Sequence, residues 1–248
     1  MFIFGTILKL FSSSPKKINF NRMKKINYSD VSIVMISMNE EGAIKNVLQD
    51  ISKDVPGAEI VLVDSSKDKT PQIAKKFKQV KLIRQFPPIG YGPAMTLALR
   101  SASNPIIVTL DCDNTYPTKK IPELISHIRN GYDIVDGSRL KTKPKNMPYL
   151  NYFANLFFAR IASILFMTNL KDLHSGMRAY SKKILDQTHW QSKPPALPVE
   201  ILLRCIKNKR KFKVVFIDYL IRIGQSKMDP LPSAYWTIKR ILNVRLGR

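Results

Sequence analysis

Residues 105–113 read PIIVTLDCD, and this stretch decides the fold. The run is apolar apart from Thr109 up to residue 110, and two acids, Asp111 and Asp113, follow it. A short apolar run of this kind is typical of a strand that is buried on both faces of a sheet. Similar runs lie upstream at 31–38 (VSIVMISM), 59–63 (EIVLV) and 80–84 (VKLIR), and a shorter one follows at 133–135.

Stretches with helical periodicity separate these runs. The predicted helices cover 41–53, 70–78, 93–102 and 119–130. Regular alternation of strands and helices predicts an α/β fold, with a mostly parallel sheet flanked by helices. Ligands of such sheets bind beyond the carboxyl ends of the strands, so the residues that follow each strand are the candidates for a site.

Polar residues cluster at these predicted strand ends. They are Asn39 and Glu40 after the first strand, Asp64 after the second, Asp111 and Asp113 after the fourth, and Arg139 after the fifth. Two carboxylates that leave a buried strand repel each other unless a cation lies between them, so Asp111 and Asp113 predict a Mg²⁺ or Mn²⁺ site. The Asp64 carboxylate is placed to accept a hydrogen bond from a nucleoside base or ribose, or alternatively to cap the next helix.

Charge and composition narrow the classes of function. The chain has 248 residues, and its 41 Lys and Arg against 18 Asp and Glu give a net charge of +23, which favours a phosphate-bearing partner. Neither a G-x-G-x-x-G after the first strand nor a P-loop is present, and no nucleic-acid-binding motif accompanies the charge. Cys112 and Cys205 fit neither a disulfide framework nor a zinc site, which favours a reducing, cytosolic side.

Three segments carry membrane signals, although no uninterrupted apolar run is long enough to predict a transmembrane helix. Residues 1–29 join an apolar start to a basic cluster, 149–170 form an apolar helix, and 229–248 form a basic amphipathic helix with an apolar stripe. A frayed terminus and a core helix are the alternatives for the first two. Together the segments predict a peripheral, monotopic protein whose central domain spans 30–228.

Four stretches resemble the family 2 glycosyltransferases of the GT-A fold. They are VSIVMISMNEEGAI (31–44), IVLVDSSKDKTPQIA (60–74), GYGPAMTLALRSA (90–102) with IIVTLDCDNTYP (106–117), and YDIVDGSR (132–139). Within that family, DLHSGMRAY (172–180) and RIGQSK (222–227) resemble the branch that acts on polyprenyl phosphates. The resemblance implies an inverting, metal-dependent transfer of a sugar from a UDP- or GDP-sugar to a polyprenyl phosphate such as dolichyl or undecaprenyl phosphate, at the cytoplasmic face of a membrane.

The resemblance also assigns roles to residues. It implies a nucleotide-sugar site at Asn39, Glu40, Asp64, Asp111 and Asp113, metal ligands at Asp111 and Asp113, catalytic roles for Asp113 and Arg139, and contact with the acceptor phosphate by Arg139, Ser175, Arg178, Arg222, Ser226 and Lys227. Ile89 and Thr115 depart from the family pattern, which leaves the sugar and the nucleotide open. Another acceptor, an inactive relative and a non-enzymatic basic protein that binds phosphate or nucleic acid are the alternatives. His174 is interpreted as structural, because a phosphate acceptor that is already anionic needs no base.

Overall fold

A computed structural model describes residues 27–193, 195–224 and 230–248. Most of the predicted segment 1–29 lies outside the described residues, as do Ser226 and Lys227. The strands are β1 (Val31–Ser37), β2 (Glu59–Asp64), β3 (Val80–Arg84), β4 (Ile106–Thr109), β5 (Ile134–Ser138), β6 (Arg178–Ser181) and β7 (Phe212–Phe216). The helices are α1 (Ile44–Asp54), α2 (Thr70–Ala74), α3 (Tyr91–Arg100), α4 (Ile121–Arg129), α5 (Tyr149–Phe166), α6 (Lys182–Gln187), α7 (Leu197–Lys207) and α8 (Pro230–Leu246), and a 3₁₀ turn (Thr118–Lys120) precedes α4.

The strands form one sheet of seven in the order β3-β2-β1-β4-β6-β5-β7. Neighbouring strands are parallel, except that β6 runs antiparallel to both β4 and β5. The predicted mostly parallel α/β sheet is therefore confirmed. Strand β5 extends to Ser138, beyond the predicted end at residue 135, because Gly137 and Ser138 pair with Val215 and Phe216 of β7.

Alternate residues of the central strands supply two cores, one on each face of the sheet. Ile33 lies in the core beneath α1 and α4, whereas the next residue, Val34, lies in the core beneath α3 and α7. Both side chains are fully buried. Burial on both faces removes the usual polar alternation, which explains why the strands appear as uninterrupted apolar runs.

Several helices begin or end away from their predicted bounds: α3 covers Tyr91–Arg100 rather than 93–102, and α5 ends at Phe166 rather than residue 170, because Met167 adopts a left-handed conformation. Helix α1 begins at Ile44 rather than residue 41, because Glu41 is held in a turn: its backbone N–H donates to Asp68 and its carboxylate accepts from the Lys69 N–H. Helix α2 ends at Ala74, and the following residues form tighter turns in which the Phe77 N–H donates to the Ala74 carbonyl at 3.1 Å. The change in α1 brings the loops after β1 and β2 together at the carboxyl edge of the sheet.

Candidate active site

The loops after β1 and β2 are bound to each other at the carboxyl edge. The Asn39 N–H donates to Ser66 Oγ at 2.8 Å, and the Asn39 side-chain oxygen accepts from the Lys67 N–H at 2.9 Å. Asn39 adopts a left-handed conformation with φ of 57°, which asparagine tolerates better than most residues. Asn39 therefore shapes this loop pair, and its backbone and side chain line one wall of a cavity.

That cavity has a volume of about 590 Å³ and opens beside the ends of β1 and β2. It is lined by Asn39, Glu40, Glu41, Gly42, Ala43, Lys67, Asp68, Ile223 and Gly224. The structure thus brings the predicted residues Asn39 and Glu40 to one cavity wall. It also adds Lys67, which the sequence analysis did not single out.

Asp64 ends β2, as predicted, and is surrounded by protein donors. Its carboxylate is fully buried, accepts from Ser37 Oγ at 2.6 Å and from Ser66 Oγ, and forms an ion pair with Arg84. These donors surround the carboxylate in this structure, and the direct contact of Asp64 with a nucleoside stays a prediction. Arg84 is the half-exposed group at this point, with 38% of its side chain accessible. Sequence reasoning missed it because its partner lies on the neighbouring strand, in register with it.

Asp113 is held by three donors. Its Oδ1 atom accepts from the Thr115 N–H at 3.0 Å and from Thr115 Oγ1 at 2.5 Å, and its Oδ2 atom lies 2.5 Å from Arg222 Nη1. Thr115, the position that departs from the family pattern, is itself buried. Thr115 therefore fixes the orientation of Asp113 through these two hydrogen bonds.

Asp111 lacks such partners. None of the residues that the structure describes donates a hydrogen bond to its carboxylate. Burial and the neighbouring Asp113 carboxylate raise the pKa of Asp111 to about 7, although Arg139 and Arg222 act in the opposite direction. Gly176 lies so close that a Cβ atom there would be 2.6 Å from Asp111 Oδ2. A carboxylate packed in this way without a donor is stabilised by a cation.

The donor set fits a hard divalent cation. Asp111 and Asp113 supply carboxylate oxygens, which Mg²⁺ and Mn²⁺ prefer, and such ions complete their coordination with substrate phosphates and water. Within 27–193, 195–224 and 230–248, no group of three or more His, Cys, Asp or Glu residues is gathered for a metal. Two carboxylates alone match an ion that is bound together with a phosphorylated substrate.

Arg139 is fixed by a buried carboxylate. Its Nε and Nη2 atoms lie 2.7 Å and 3.0 Å from the two oxygens of Asp172, and its guanidinium carbon lies 5.3 Å from the ring centroid of Tyr219. Burial works against the charge of Arg139, but Asp172 outweighs it and holds the pKa of Arg139 well above its ordinary value. The bidentate pair gives this guanidinium one orientation.

A second cavity joins these groups. It has a volume of about 250 Å³ and is bordered by Asp111, Arg139 and Arg222. The remaining lining residues are Thr115, Tyr116, Asn146, Met147, Pro148, Asn151, Ala154, Asn155, Phe158, His174, Tyr219, Ser233 and Ala234. The cavity therefore extends from one carboxylate and two arginines to the first turns of α5 and α8.

Two residues predicted to contact the acceptor phosphate do not reach this cavity. The Arg178 side chain is 1% exposed, forms an ion pair with Asp136 at 2.6 Å, and donates to the carbonyls of Pro198 and Leu173. Ser175 is fully buried and donates through Oγ to the Gly137 carbonyl at 2.5 Å. In this structure these side chains hold β6 and the turn before it in place, and their contact with the acceptor phosphate stays a prediction.

The contacts of His174 support its interpretation as a structural residue. Its Nε2 atom lies 2.8 Å from Thr237 Oγ1, and because that hydroxyl donates to the Ser233 carbonyl, we assign the imidazole proton to Nε2. Burial lowers the pKa of His174 to about 4, so the ring is neutral near pH 7. The bond ties α8 to the turn that contains Asp172.

Comparisons with known proteins agree with this geometry. Residues 32–188 match the family model described as Glycosyl transferase family 2. The chain is 38% identical over 225 residues to the dolichyl-phosphate hexose transferase of Haloferax volcanii, a match that covers 90% of this chain and 97% of that protein. It is 30% identical over 212 residues to the dolichol-phosphate mannosyltransferase of Pyrococcus furiosus, covering 80% of this chain and 59% of that protein.

Solved structures show the same fold. Glucosyl-3-phosphoglycerate synthase of Mycobacterium tuberculosis, in complex with Mn²⁺, UDP-glucose and phosphoglyceric acid, superimposes with a TM-score of 0.68 at 19% identity. The match covers 87% of this chain and 79% of that chain. The expected GT-A fold is thereby confirmed.

Proposed function

The chain belongs to glycosyl transferase family 2, and we propose that it moves a hexose from a nucleotide-sugar donor to a polyprenyl phosphate at a membrane surface. The observation that carries the proposal is the cavity in which Asp111, Arg139 and Arg222 meet the first turns of α5 and α8. The names of the relatives, a dolichyl-phosphate hexose transferase and a dolichol-phosphate mannosyltransferase, support the same acceptor class.

The donor half of the site lies at the loops after β1, β2 and β4. Glu40 and Lys67 line the larger cavity, and Arg84 presents a half-exposed guanidinium beside it on the end of β3. Asp111 and Asp113 would hold Mg²⁺ or Mn²⁺. Such an ion, when bound, neutralises the charge that develops on a leaving nucleoside diphosphate. The Mn²⁺ and UDP-glucose in the structural neighbour support a divalent ion in general.

The acceptor half needs positive charge rather than a base. A phosphate monoester carries a charge of about −1.5 to −2 at pH 7, so its oxygen can attack the anomeric carbon directly. As the new C–O bond forms, the bond from that carbon to the diphosphate breaks, and the configuration inverts. Arg139, fixed by Asp172, and Arg222 line the cavity where this phosphate would lie. Their contribution is orientation and electrostatic stabilisation.

Helix α8 turns an apolar stripe outward. Leu231, Tyr235 and Ile238 are 82%, 58% and 42% exposed, whereas Thr237 and Arg240 on the opposite side are buried. Arg240 is secured there by an ion pair with Glu200 of α7. A helix that buries an arginine and exposes its apolar side is typical of a surface that lies against a bilayer.

Helix α5 exposes a similar face beside α8. Leu150, Phe153, Phe157, Ile164 and Met167 are all more than half exposed. Its 18 residues, with a mean hydropathy of 1.2, are long and apolar enough to cross a membrane, by length and composition only. We propose that α5 lies in the interface instead, because its other side packs against α7 and α8 and lines the smaller cavity.

We place this surface at the cytoplasmic face of a membrane. The net charge of +23 suits the anionic lipids of that leaflet, which attract basic segments. Cys112 and Cys205 are both free thiols, which agrees with a reducing compartment. A polyprenyl chain embedded in the leaflet would then present its phosphate to the cavity between α5 and α8.

The proposal is tested by offering the full chain UDP- and GDP-hexoses with a polyprenyl phosphate in detergent micelles, with Mn²⁺ or Mg²⁺, and detecting glycolipid by mass spectrometry. We expect a product with one donor class, lost on chelation and in Asp113→Asn. Asp50→Asn, on the exposed face of α1, removes the same charge and should keep full activity. Equal activity of the two variants, or no product with any donor, would contradict the proposal.

A further inference from the structure

Arg222 has two possible partners, and the structure shows it with one of them. Its Nη1 atom lies 2.5 Å from Asp113 Oδ2, and a third of its side chain remains exposed. The chain on either side of it is hydrogen-bonded to the loop after β4: the Leu220 N–H donates to Thr115 and the Ile223 N–H to Asp113. The backbone is therefore anchored, and the side chain can move without it.

The oxygen that Arg222 contacts is the one a metal ion would need. Asp113 Oδ1 is already engaged by the amide and the hydroxyl of Thr115, which leaves Oδ2 as the oxygen that Thr115 does not engage. Asp111, the other carboxylate of the pair, accepts no hydrogen bond from any residue between 27 and 193, 195 and 224 or 230 and 248. A guanidinium and a divalent cation cannot share one carboxylate oxygen without strong repulsion.

Arg139 provides the contrast. Its Nε and Nη2 atoms both donate to the Asp172 carboxylate, and its side chain is 9% exposed. Arg222 is paired through one nitrogen and is 33% exposed. Both arginines line the same cavity of about 250 Å³. One cation of the proposed acceptor site is thus fixed, whereas the other has an alternative position available.

We infer that Arg222 is an exchangeable counter-ion: it neutralises Asp113 while no metal is bound, and turns to the acceptor phosphate when a divalent cation takes Asp113 Oδ2. This inference rests on the proposed function and adds regulation to it. Loading of metal and donor releases the second phosphate-binding arginine, so the acceptor binds more tightly to the loaded protein. The exchange also keeps Asp113 neutralised between turnovers.

The first test measures Mn²⁺ binding to the full chain without nucleotide, using the electron paramagnetic resonance signal of the free ion to monitor the titration. Arg222→Gln removes the competing charge and should tighten Mn²⁺ binding about tenfold. Arg222→Lys retains the charge and should stay near wild type. Arg129→Gln removes an arginine that is paired with Asp30 on another surface, and serves as the matched control with unchanged binding.

The second test separates exchange from a general loss of positive charge. Binding of a short-chain prenyl phosphate is measured by calorimetry with and without Mn²⁺ and UDP. Wild type should bind the prenyl phosphate several-fold more tightly when Mn²⁺ and UDP are present. Arg222→Gln should bind it with the same affinity in both conditions. Coupling that persists in Arg222→Gln, or Mn²⁺ binding that this variant fails to tighten, overturns the exchange alone. A wild-type chain that binds no Mn²⁺ even in the presence of UDP overturns the metal-dependent function as well.

Discussion

The exposed face of α5 allows the membrane proposal to be tested quantitatively. Leu150, Phe153 and Phe157 are 76%, 60% and 57% exposed, and none of them lines either cavity. Full burial of a leucine or phenylalanine side chain is worth about 1.5–3 kcal/mol. Scaled by these exposed fractions, transfer of the three side chains from water into lipid is worth roughly 4 kcal/mol.

The perturbation is the triple replacement of these three residues by glutamine, which keeps good helix propensity. A loss of roughly 4 kcal/mol corresponds to a decrease of about a thousandfold in the vesicle partition coefficient. The assay is sedimentation of the full chain with vesicles of phosphatidylcholine and phosphatidylglycerol over a range of lipid concentrations. Thermal unfolding of the variant should be nearly unchanged, because the replaced side chains are largely exposed.

Phe86→Gln is the matched control. Phe86 is 54% exposed but lies in the loop after β3 and belongs to neither α5 nor α8. It should partition like wild type. A triple variant that partitions within tenfold of wild type, or a Phe86 variant that loses as much affinity as the triple variant, would refute the assignment of this face to the bilayer.

Three further predictions concern the supports of the site. Arg178→Met should lower the free energy of unfolding by about 3–5 kcal/mol in urea titrations, since it leaves Asp136 buried without its partner; a loss below 1 kcal/mol would contradict the structural role. As the pH falls from 6.5 to 4, the free energy of unfolding of wild type should decrease by on the order of 3 kcal/mol relative to that of His174→Gln. The pKa of His174 is about 4 in the folded chain, so the unfolded chain takes up the proton first. Parallel profiles of stability against pH for the two proteins would count against burial of the ring. Thr115→Val should weaken Mn²⁺ binding about tenfold, because it removes the hydroxyl donor that helps the Thr115 backbone amide to orient Asp113, and unchanged affinity would show that this orientation is unimportant.

The sequence predicts the central strands and the position of the site well. Buried parallel strands produce uninterrupted apolar runs, and their carboxyl ends meet at one edge, so Asp111 and Asp113 could be placed there from the pattern alone. The apolar stripe of α8 was also predicted from its spacing. Whether that stripe faces the core is a tertiary property, and the structure shows it outward.

The surroundings of Arg178 and Asp64 depend on partners that are distant in sequence. A strand whose first residue is arginine looks solvent-exposed, yet Arg178 is buried because Asp136 lies opposite it on the adjacent strand. Asp64 is likewise surrounded because Arg84 is in register with it. Local patterns cannot indicate such pairs, which arise only when the sheet has formed.

The most direct test of the central claim compares a polyprenyl phosphate with acceptors that lack either the phosphate or the polyprenyl chain. The full chain is given its labelled donor with a polyprenyl phosphate, with the same polyprenol lacking phosphate, or with a soluble phosphorylated acceptor such as phosphoglyceric acid. The account predicts sugar on the polyprenyl phosphate alone, attached through a phosphodiester that mild acid cleaves. Transfer to the free polyprenol or to the soluble acceptor, with the lipid phosphate left unmodified, would contradict it.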